Sequence, residues 1–286
     1  MTSDEYVVIL FYKFTPIADP KAFADLHRQK CSELGLTGRL IVAEEGINGT
    51  FEGIRKNIDA YKKFLQSDPI FSNILIKESE GTGSAFPKLK IKVRDEVVTL
   101  GAGRFDVQKE TATELSAQEL EKWYEEDKDF VVLDLRNDYE IASGKFEKTI
   151  DPGLENFRDL PKKLDQLKNL KNKKVVTVCT GGIRCEKATC LLKKEGFTDV
   201  YQLKDGIHTY MKEYPGKNFK GTLFVFDNRL TTDVVPTATK VITGKCIHCS
   251  GPTEDYYSDD RERPCRKVLC CEKCFVEKGK VLRVIK

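Results

Sequence analysis

KKVVTVCTGGIRCEKATCLLKKEG, residues 173–196, decides the fold of the larger part of the chain. Its first seven residues form a nearly continuous apolar run that ends on Cys179. A run that does not alternate with polar residues predicts a strand buried on both faces of a parallel sheet. Thr180-Gly181-Gly182 then interrupts it, and a helix is expected to begin near Arg184-Cys185-Glu186. The segment EKATCLLKKEG is amphipathic and stops at Gly196. Working outward, FVVLDLR (130–136) is a second continuous strand and DVYQL (199–203) a short third one. NFRDLPKKLDQLKNL (156–170) carries helical patterning with a boundary at Pro161, and residues 111–127 read as a helix leading into the domain. Strands alternating with helices predict a doubly wound α/β domain over 111–222.

Residues 1–110 have a different grammar. YVVILFYK (6–13) reads as a buried strand. Asp19-Pro20 is a helix start, an N-cap with proline at the first helical position. Phe23, Leu26, Cys31 and Leu34 recur at helical spacing until Gly35. GRLIVAEE and INGTFEG are strands joined by a tight Glu45-Gly46 turn. A second helix runs through Ile58, Tyr61, Phe64 and Leu65, and ILIKES closes the unit. The order βαββαβ predicts a ferredoxin-like, acylphosphatase-like α+β domain. After it, Lys88, Lys90, Lys92 and Arg94 alternate with Leu89, Ile91 and Val93. In a strand this sets four cations on one face, which serves either solvation or RNA phosphates. Residues 223–286 are an extended connector followed by a cysteine-rich segment.

Bulk composition narrows the classes. With 286 residues and 33% charged side chains the chain is globular and multidomain. A net charge of only +3 means that any nucleic-acid site must be a local patch. The longest apolar runs are strand-sized, so no membrane span is expected. Acidic residues before the first apolar run have the wrong charge order for a secretory signal. The ten cysteines are therefore expected in a reducing cytoplasm, where grouped thiols serve metal binding or catalysis.

The loop after Cys179 has the makings of an anion cradle. Thr180, Gly181, Gly182 and Ile183 can turn several backbone N–H groups inward, the helix adds its positive end, and Arg184 adds a guanidinium. Such surroundings lower a thiol pKa, and they would equally stabilise an anionic persulfide. A phosphatase loop would need arginine where Cys185 stands, so that reading fails on register. Cys185 is either a resolving thiol for Cys179 or a small buried residue. Cys190, further along the helix, is read as core.

Cys179-x-x-Gly182-x-Arg184 followed by a small residue resembles the active loop of single-domain rhodaneses, with Cys185 in place of the usual serine. Leu133-Asp134-Leu135-Arg136 with Glu140 and Gly144 resembles that fold's opening motif, although Lys145 stands where a histidine is familiar. Asp205-Gly206-Ile207 resembles its closing segment. With Ala43-Glu-Glu-Gly-Ile-Asn-Gly-Thr50, Phe224-Val-Phe-Asp227 and the cysteine-rich tail, nearly the whole chain is similar to the bacterial rhodanese-containing tRNA uridine hydroxylases. The resemblance implies a tRNA substrate, dioxygen as co-substrate, and hydroxylation of the wobble uridine at C5 to 5-hydroxyuridine. Cys179, Arg184 and Cys185 are its candidate catalytic residues. Two readings stand beside it. One is a sulfurtransferase that takes sulfane sulfur from thiosulfate or a donor protein; the other is a persulfide-carrying module without turnover. No flavin or nicotinamide fingerprint is present, and His27, His208 and His248 with a carboxylate make no obvious iron set.

Two further motifs carry expectations. In AEEGINGT, Gly46 and Gly49 answer either to hairpin geometry or to a substrate-facing turn in which Glu44, Glu45 and Asn48 meet a base or ribose. In the tail, Cys246-x-x-Cys249 and Cys271-x-x-Cys274 have the spacing of a structural zinc site. Cys265, Cys270 and His248 are reserve ligands. Arg261, Arg263, Arg266 and Lys267 lie between the knuckles, where they could face RNA.

Overall fold

The computed structural model describes residues 5–232, 241–259, 261, 266–278 and 282–285. They form two compact units, Met1–Thr99 and Leu100–Lys286.

The first unit runs β1 (Tyr6–Phe14), α1 (Pro20–Glu33), β2 (Thr37–Ala43), β3 (Gly46–Ile54), α2 (Arg55–Ser67), β4 (Ile76–Glu80) and β5 (Leu89–Val93). Its sheet has the order β4-β1-β3-β2-β5. The first four strands are antiparallel neighbours, which is the ferredoxin-like arrangement, and β5 adds a parallel edge beside β2. Asp19 caps α1 by accepting from the Lys21 and Ala22 N–H groups at 3.0 and 2.9 Å. Phe11, Leu40, Phe51, Tyr61 and Leu65 fill the core between sheet and helices. The buried stripe of α1 is Ala24, His27 and Cys31, so Leu26 points outward at 53% exposure, against the periodicity reading. His27 belongs to that stripe because its Nδ1 lies 2.9 Å from the Tyr61 hydroxyl. Lys88, Lys90, Lys92 and Arg94 are all exposed along β5, while Ile91 is buried behind them. Val93 is the exception on the apolar side, at 42% exposure.

The second unit continues with α3 (Val107–Glu110), β6 (Thr113–Leu115), α4 (Ala117–Glu125), β7 (Val131–Asp134), α5 (Asp138–Ala142), β8 (Gly144–Phe146) and β9 (Thr149–Ile150). Then come α6 (Leu160–Lys163), β10 (Lys174–Val178), α7 (Ile183–Lys194), β11 (Asp199–Leu203) and α8 (Gly206–Glu213). The parallel sheet is β6-β11-β10-β7-β9, with β10, the strand that delivers Cys179, at its centre. Val132, Val176, Val178, Leu203, Ile207 and Tyr210 are buried around it. Two helix expectations need correction. Residues 113–115 are an edge strand rather than helix, and the helix proper starts at Ala117 behind a Ser116–Glu119 capping box. Residues 157–170 are mostly 3-10 turns around the four-residue α6, which has Pro161 in its first turn.

The chain ends with β12 (Phe219–Gly221), β13 (Leu223–Phe224), β14 (Thr231–Thr232), β15 (Tyr256–Asp259), β16 (Arg266–Leu269), α9 (Glu272–Lys278) and β17 (Leu282–Val284). The expected extended connector is instead structured at its start. β12 pairs with β8, and β13 with β14 forms a hairpin. The connector's remainder at 233–240 lies outside the described residues. β16-β15-β17 make a small antiparallel sheet. Phe224, Tyr256 and Leu269 form a buried cluster with Tyr139 of α5, which anchors this sheet to the parallel domain.

Candidate active site

Cys179 stands one residue beyond β10 and is 1% exposed. The chain turns at Gly182, whose φ of +102° disfavours a side chain, and α7 starts at the next residue. This turn aims the Gly182 N–H at the Cys179 sulfur, 3.1 Å away. The Arg184 N–H also reaches that sulfur. The loop carbonyls face the other way and are satisfied by α8. Ile207 N–H donates to Cys179 O at 3.0 Å, and His208 N–H donates to Thr180 O at 3.1 Å. Only glycine allows this contact. At Gly206 φ is +72°, and an added Cβ would lie 2.7 Å from Cys179 O and the Gly181 backbone. The Asp205-Gly206-Ile207 segment is therefore the clamp that sorts the loop's donors inward and its acceptors outward.

Beneath the loop lies a buried charge lattice. Arg184 binds Glu140 through two hydrogen bonds of 2.7 and 2.8 Å. Arg136 binds Asp134 in the same two-point manner and also donates to the Glu140 and Gly144 carbonyls. Asp134, Arg136 and Glu140 are fully buried, so each charge depends on its partner. Burial alone would raise the Glu140 carboxyl; Arg184, reinforced by Arg136, outweighs burial and holds it below the usual carboxylate range. Thr180 Oγ1 lies 3.4 Å from both Glu140 and Arg184, closing the wall of the cradle.

The thiol answers to these surroundings. Burial opposes a thiolate at Cys179. The Cys185 hydrogen bond, the Arg184 charge and the Arg184 and Gly182 N–H groups together outweigh that opposition and depress its pKa. Cys185 shows the converse: burial and the neighbouring Cys179 anion push its thiol well up. The pair is thus one thiolate and one protonated thiol, with Cys185 as donor. Cys185→Ala should move the midpoint of Cys179 alkylation against pH upward by about 1–2 units, the equivalent of a charge-assisted hydrogen bond. Cys185→Ser keeps a donor and should hold the midpoint. An unmoved midpoint in Cys185→Ala would remove Cys185 from the cradle. Cys190 is buried in α7, with its Sγ on the Glu186 carbonyl, as expected of core.

The remaining candidates fall elsewhere. Lys88, Lys90, Lys92, Arg94, Glu45 and Asn48 belong to the first unit. The Glu45 carboxylate accepts from Val97 N–H at 2.8 Å, and the Asn48 amide donates to Val97 O at 3.1 Å. Both side chains thereby pin the segment after β5. Gly46 and Gly49 are also explained by close approach: added Cβ atoms would meet Lys13 O at 2.1 Å and the Phe11 ring at 2.5 Å. In the second unit, the sulfurs of Cys246, Cys249, Cys271 and Cys274 lie within 4.8 Å of one another. Four thiolates around zinc at ~2.3 Å require sulfurs about 3.8 Å apart, so this group fits a tetrahedral ion. Cys270 is fully buried with its Sγ on the Cys271 carbonyl, and His248 offers its backbone N–H to Cys246. Cys265 and Arg263 lie outside the described residues.

Three residues that the sequence reading placed only in motifs, and not in the site, belong to it. Glu140 looks like a capping residue, and its carboxylate does accept from Asn137 N–H at 2.9 Å, but its weight is in holding Arg184. Arg136 is the largest fully buried side chain among the described residues. Phe226, in the Phe224–Asp227 motif, sets its ring centroid 5.7 Å from the Arg184 guanidinium.

Comparison with known proteins agrees with this geometry. A UPF0176 acylphosphatase-like domain matches residues 6–97, a rhodanese-like domain matches 116–213, and a rhodanese C-terminal domain matches 220–282. A protein of Onion yellows phytoplasma named tRNA uridine(34) hydroxylase is 42% identical over 95% of this chain and 89% of its own length. Proteins of the same name from Cytophaga hutchinsonii and Shouchella clausii are 38% and 41% identical over 94% of this chain, spanning 90% and 85% of their own lengths. At that identity over nearly the full length, the chain belongs to the tRNA uridine(34) hydroxylase family.

Proposed function

We propose that this protein hydroxylates uridine 34 of tRNA at C5 and that Cys179 is its nucleophile. The observation that carries the reading is a buried Cys179 sulfur that accepts from the Gly182 N–H, in a chain that matches a hydroxylase of this name over 95% of its length. The Cys179 thiolate adds to C6 of the uracil, and the C5=C6 π pair moves to C5 as an enolate. The enolate attacks an oxidant at the peroxide level; its O–O bond breaks and the far oxygen leaves as water or an alcohol. Loss of the C5 proton then expels the thiolate and restores the ring. Dioxygen, the co-substrate the resemblance implies, needs two electrons from a reductant to reach that level. A tRNA substrate sets the reaction in the cytoplasm; among the described residues no helix is long and apolar enough to cross a membrane. The test is unmodified tRNA incubated with the purified protein and a peroxide, then digested and weighed. One added oxygen at uridine 34 supports the reading, and its absence with both peroxide and reductant-supplied dioxygen counts against it.

The loop would also hold a persulfide, because the same donors stabilise any anionic sulfur. A sulfurtransferase should turn over thiosulfate and cyanide, and this reading needs a sulfur-donor partner. We further propose that Cys246, Cys249, Cys271 and Cys274 hold structural zinc, which ties α9 to the loop before β15. Chelation should release one zinc per chain and lower Tm by roughly 5–10 °C, the shift that ~2–3 kcal/mol gives in a unit of this size. A metal-free protein with unchanged Tm would remove the zinc.

A further inference from the structure

The two edges of the first unit's sheet carry opposite charge. β4, at one edge, bears Glu78 and Glu80, and its Lys77 is buried. β5, at the other edge, bears the row Lys88, Lys90, Lys92 and Arg94, all exposed, with Ile91 buried behind it. The backbone under this row is held along its whole length. Gly38 N–H donates to Lys88 O at 3.2 Å and Arg94 N–H donates to Val42 O at 2.9 Å, so the pairing with β2 runs one residue past β5 at each end. Beyond it, Glu45 and Asn48 fix the backbone of Val97. The register also sets Arg39 of β2, which is exposed, beside Lys90. The Phe86 ring, 5.6 Å from the Arg39 guanidinium, keeps it there. Like charges side by side on a sheet cost stability, so folding alone gives no reason for this pairing. Carboxylates of the unit are engaged elsewhere: Glu78 by Arg55 and Lys62, Glu33 by Lys30, and Glu52 by the Thr82, Gly83 and Ala85 N–H groups. Asp95 and Glu96 come after the row rather than within it.

Lysines on an edge strand also guard it against pairing with another chain, but charge of either sign serves that end, and this row holds cations alone. Its dimensions fit a polyanion. At a rise of ~3.3 Å per residue, alternate side chains stand ~7 Å apart and the row is ~20 Å long. One strand of a nucleic-acid duplex carries a phosphate every ~3.4 Å of axis, so about six phosphates pass along that length. The chemistry is that of phosphate contact rather than base reading. Lysine ammoniums are point charges that bind a phosphate without a fixed geometry. Residues 88–94 include no aromatic ring on which a base could stack and no side-chain amide to read its edge.

We propose that the row Lys88, Lys90, Lys92 and Arg94, with Arg39 beside it, binds the sugar-phosphate backbone of tRNA without regard to sequence. These residues hold the substrate and take no part in the chemistry at Cys179. The proposal rests on the tRNA reading above and deepens it by assigning a backbone contact to the first unit.

The experiment uses the full chain, an unmodified full-length tRNA with uridine at 34, and the same tRNA with cytidine there. Kd, its salt dependence, kcat and KM are measured for wild type, for Lys88→Glu/Lys90→Glu/Lys92→Glu and for Lys88→Arg/Lys90→Arg/Lys92→Arg, with Tm as the check on folding. All three side chains are exposed, and glutamate guards an edge as lysine does, so folded and soluble variants are expected. The charge reversal should weaken binding of both tRNAs by the same factor, about tenfold or more at about 0.1 M salt, and lower the salt slope by about two to three. It should raise KM more than it lowers kcat. The arginine variant keeps the charge and should retain both affinity and slope. An unchanged Kd and slope after charge reversal would overturn the proposal and leave the hydroxylase reading standing. A loss confined to the uridine-34 tRNA would overturn it too, because the row would then be reading a base. If binding depends on the row but wild type does not hydroxylate uridine 34, the row stands and the reaction assignment falls. Absence of tRNA binding by wild type overturns both.

Discussion

Glu140→Ala is expected to destabilise the second unit by about 3–5 kcal/mol, the cost of leaving a buried charge without its partner. Two guanidiniums depend on this one residue. Arg184 loses both of its carboxylate hydrogen bonds, and Arg136 loses the anion nearest to it after Asp134. The loss should reach the thiol as well, because Arg184 and the α7 start it orients help to depress the Cys179 pKa. Denaturant unfolding gives the stability, and alkylation against pH gives the thiol. Glu140→Gln separates the two effects: it keeps an oxygen acceptor for Arg184 but removes the charge, so it should cost less stability than alanine, and with Arg184 still in place and one anion fewer the thiol pKa should not rise. The pH behaviour of the pair follows from the sign of the Glu140 shift. Its folded pKa is depressed, so its contribution is complete above the unfolded carboxyl value of ~4.3 and fades only as pH falls through the lower folded value. Wild type should therefore keep this contribution from pH 5 to 8. A Glu140→Ala protein as stable as wild type would mean that the lattice carries no weight.

Cys179→Ala is expected to lower hydroxylation by about 10³-fold or more, the scale on which loss of a nucleophile acts. The fold should not suffer. The substitution removes a buried anion and one sulfur atom, so Tm should equal or exceed that of wild type. Binding of tRNA should also persist, because the substitution leaves every lysine and arginine of the chain in place. A stable, tRNA-binding and inactive Cys179→Ala protein is the signature of a nucleophile. A variant that binds and still hydroxylates would confine Cys179 to the sulfur-carrying reading.

Most of the architecture was legible from a few local signals. The run into Cys179 and the break at Gly181-Gly182 gave the central strand and the loop, because a buried parallel strand has no reason to alternate. Asp19-Pro20 gave the start of α1 by capping chemistry alone. The failures have local causes too. Residues 113–115 are a three-residue edge strand, too short to show a period, and residues 157–170 carry helical patterning that 3-10 turns, with nearly the same period, satisfy as well. Leu26 misled because the stripe of α1 is completed by His27, whose burial depends on a hydroxyl thirty-four residues away. In the site, Cys179, Gly182 and Arg184 were visible because their spacing is local. The Glu140–Arg184 pair was not, because it is formed across forty-four residues by folding. Phe226 was visible only as part of a motif; its place beside Arg184 needed the structure.

The central claim meets its most direct test in cells that lack this protein. Their tRNA nucleosides should have lost 5-hydroxyuridine and its derivatives by mass spectrometry, and wild-type protein should restore them while Cys179→Ala does not. Restoration by Cys179→Ala, or no loss when the protein is absent and no second pathway operates, would contradict the account.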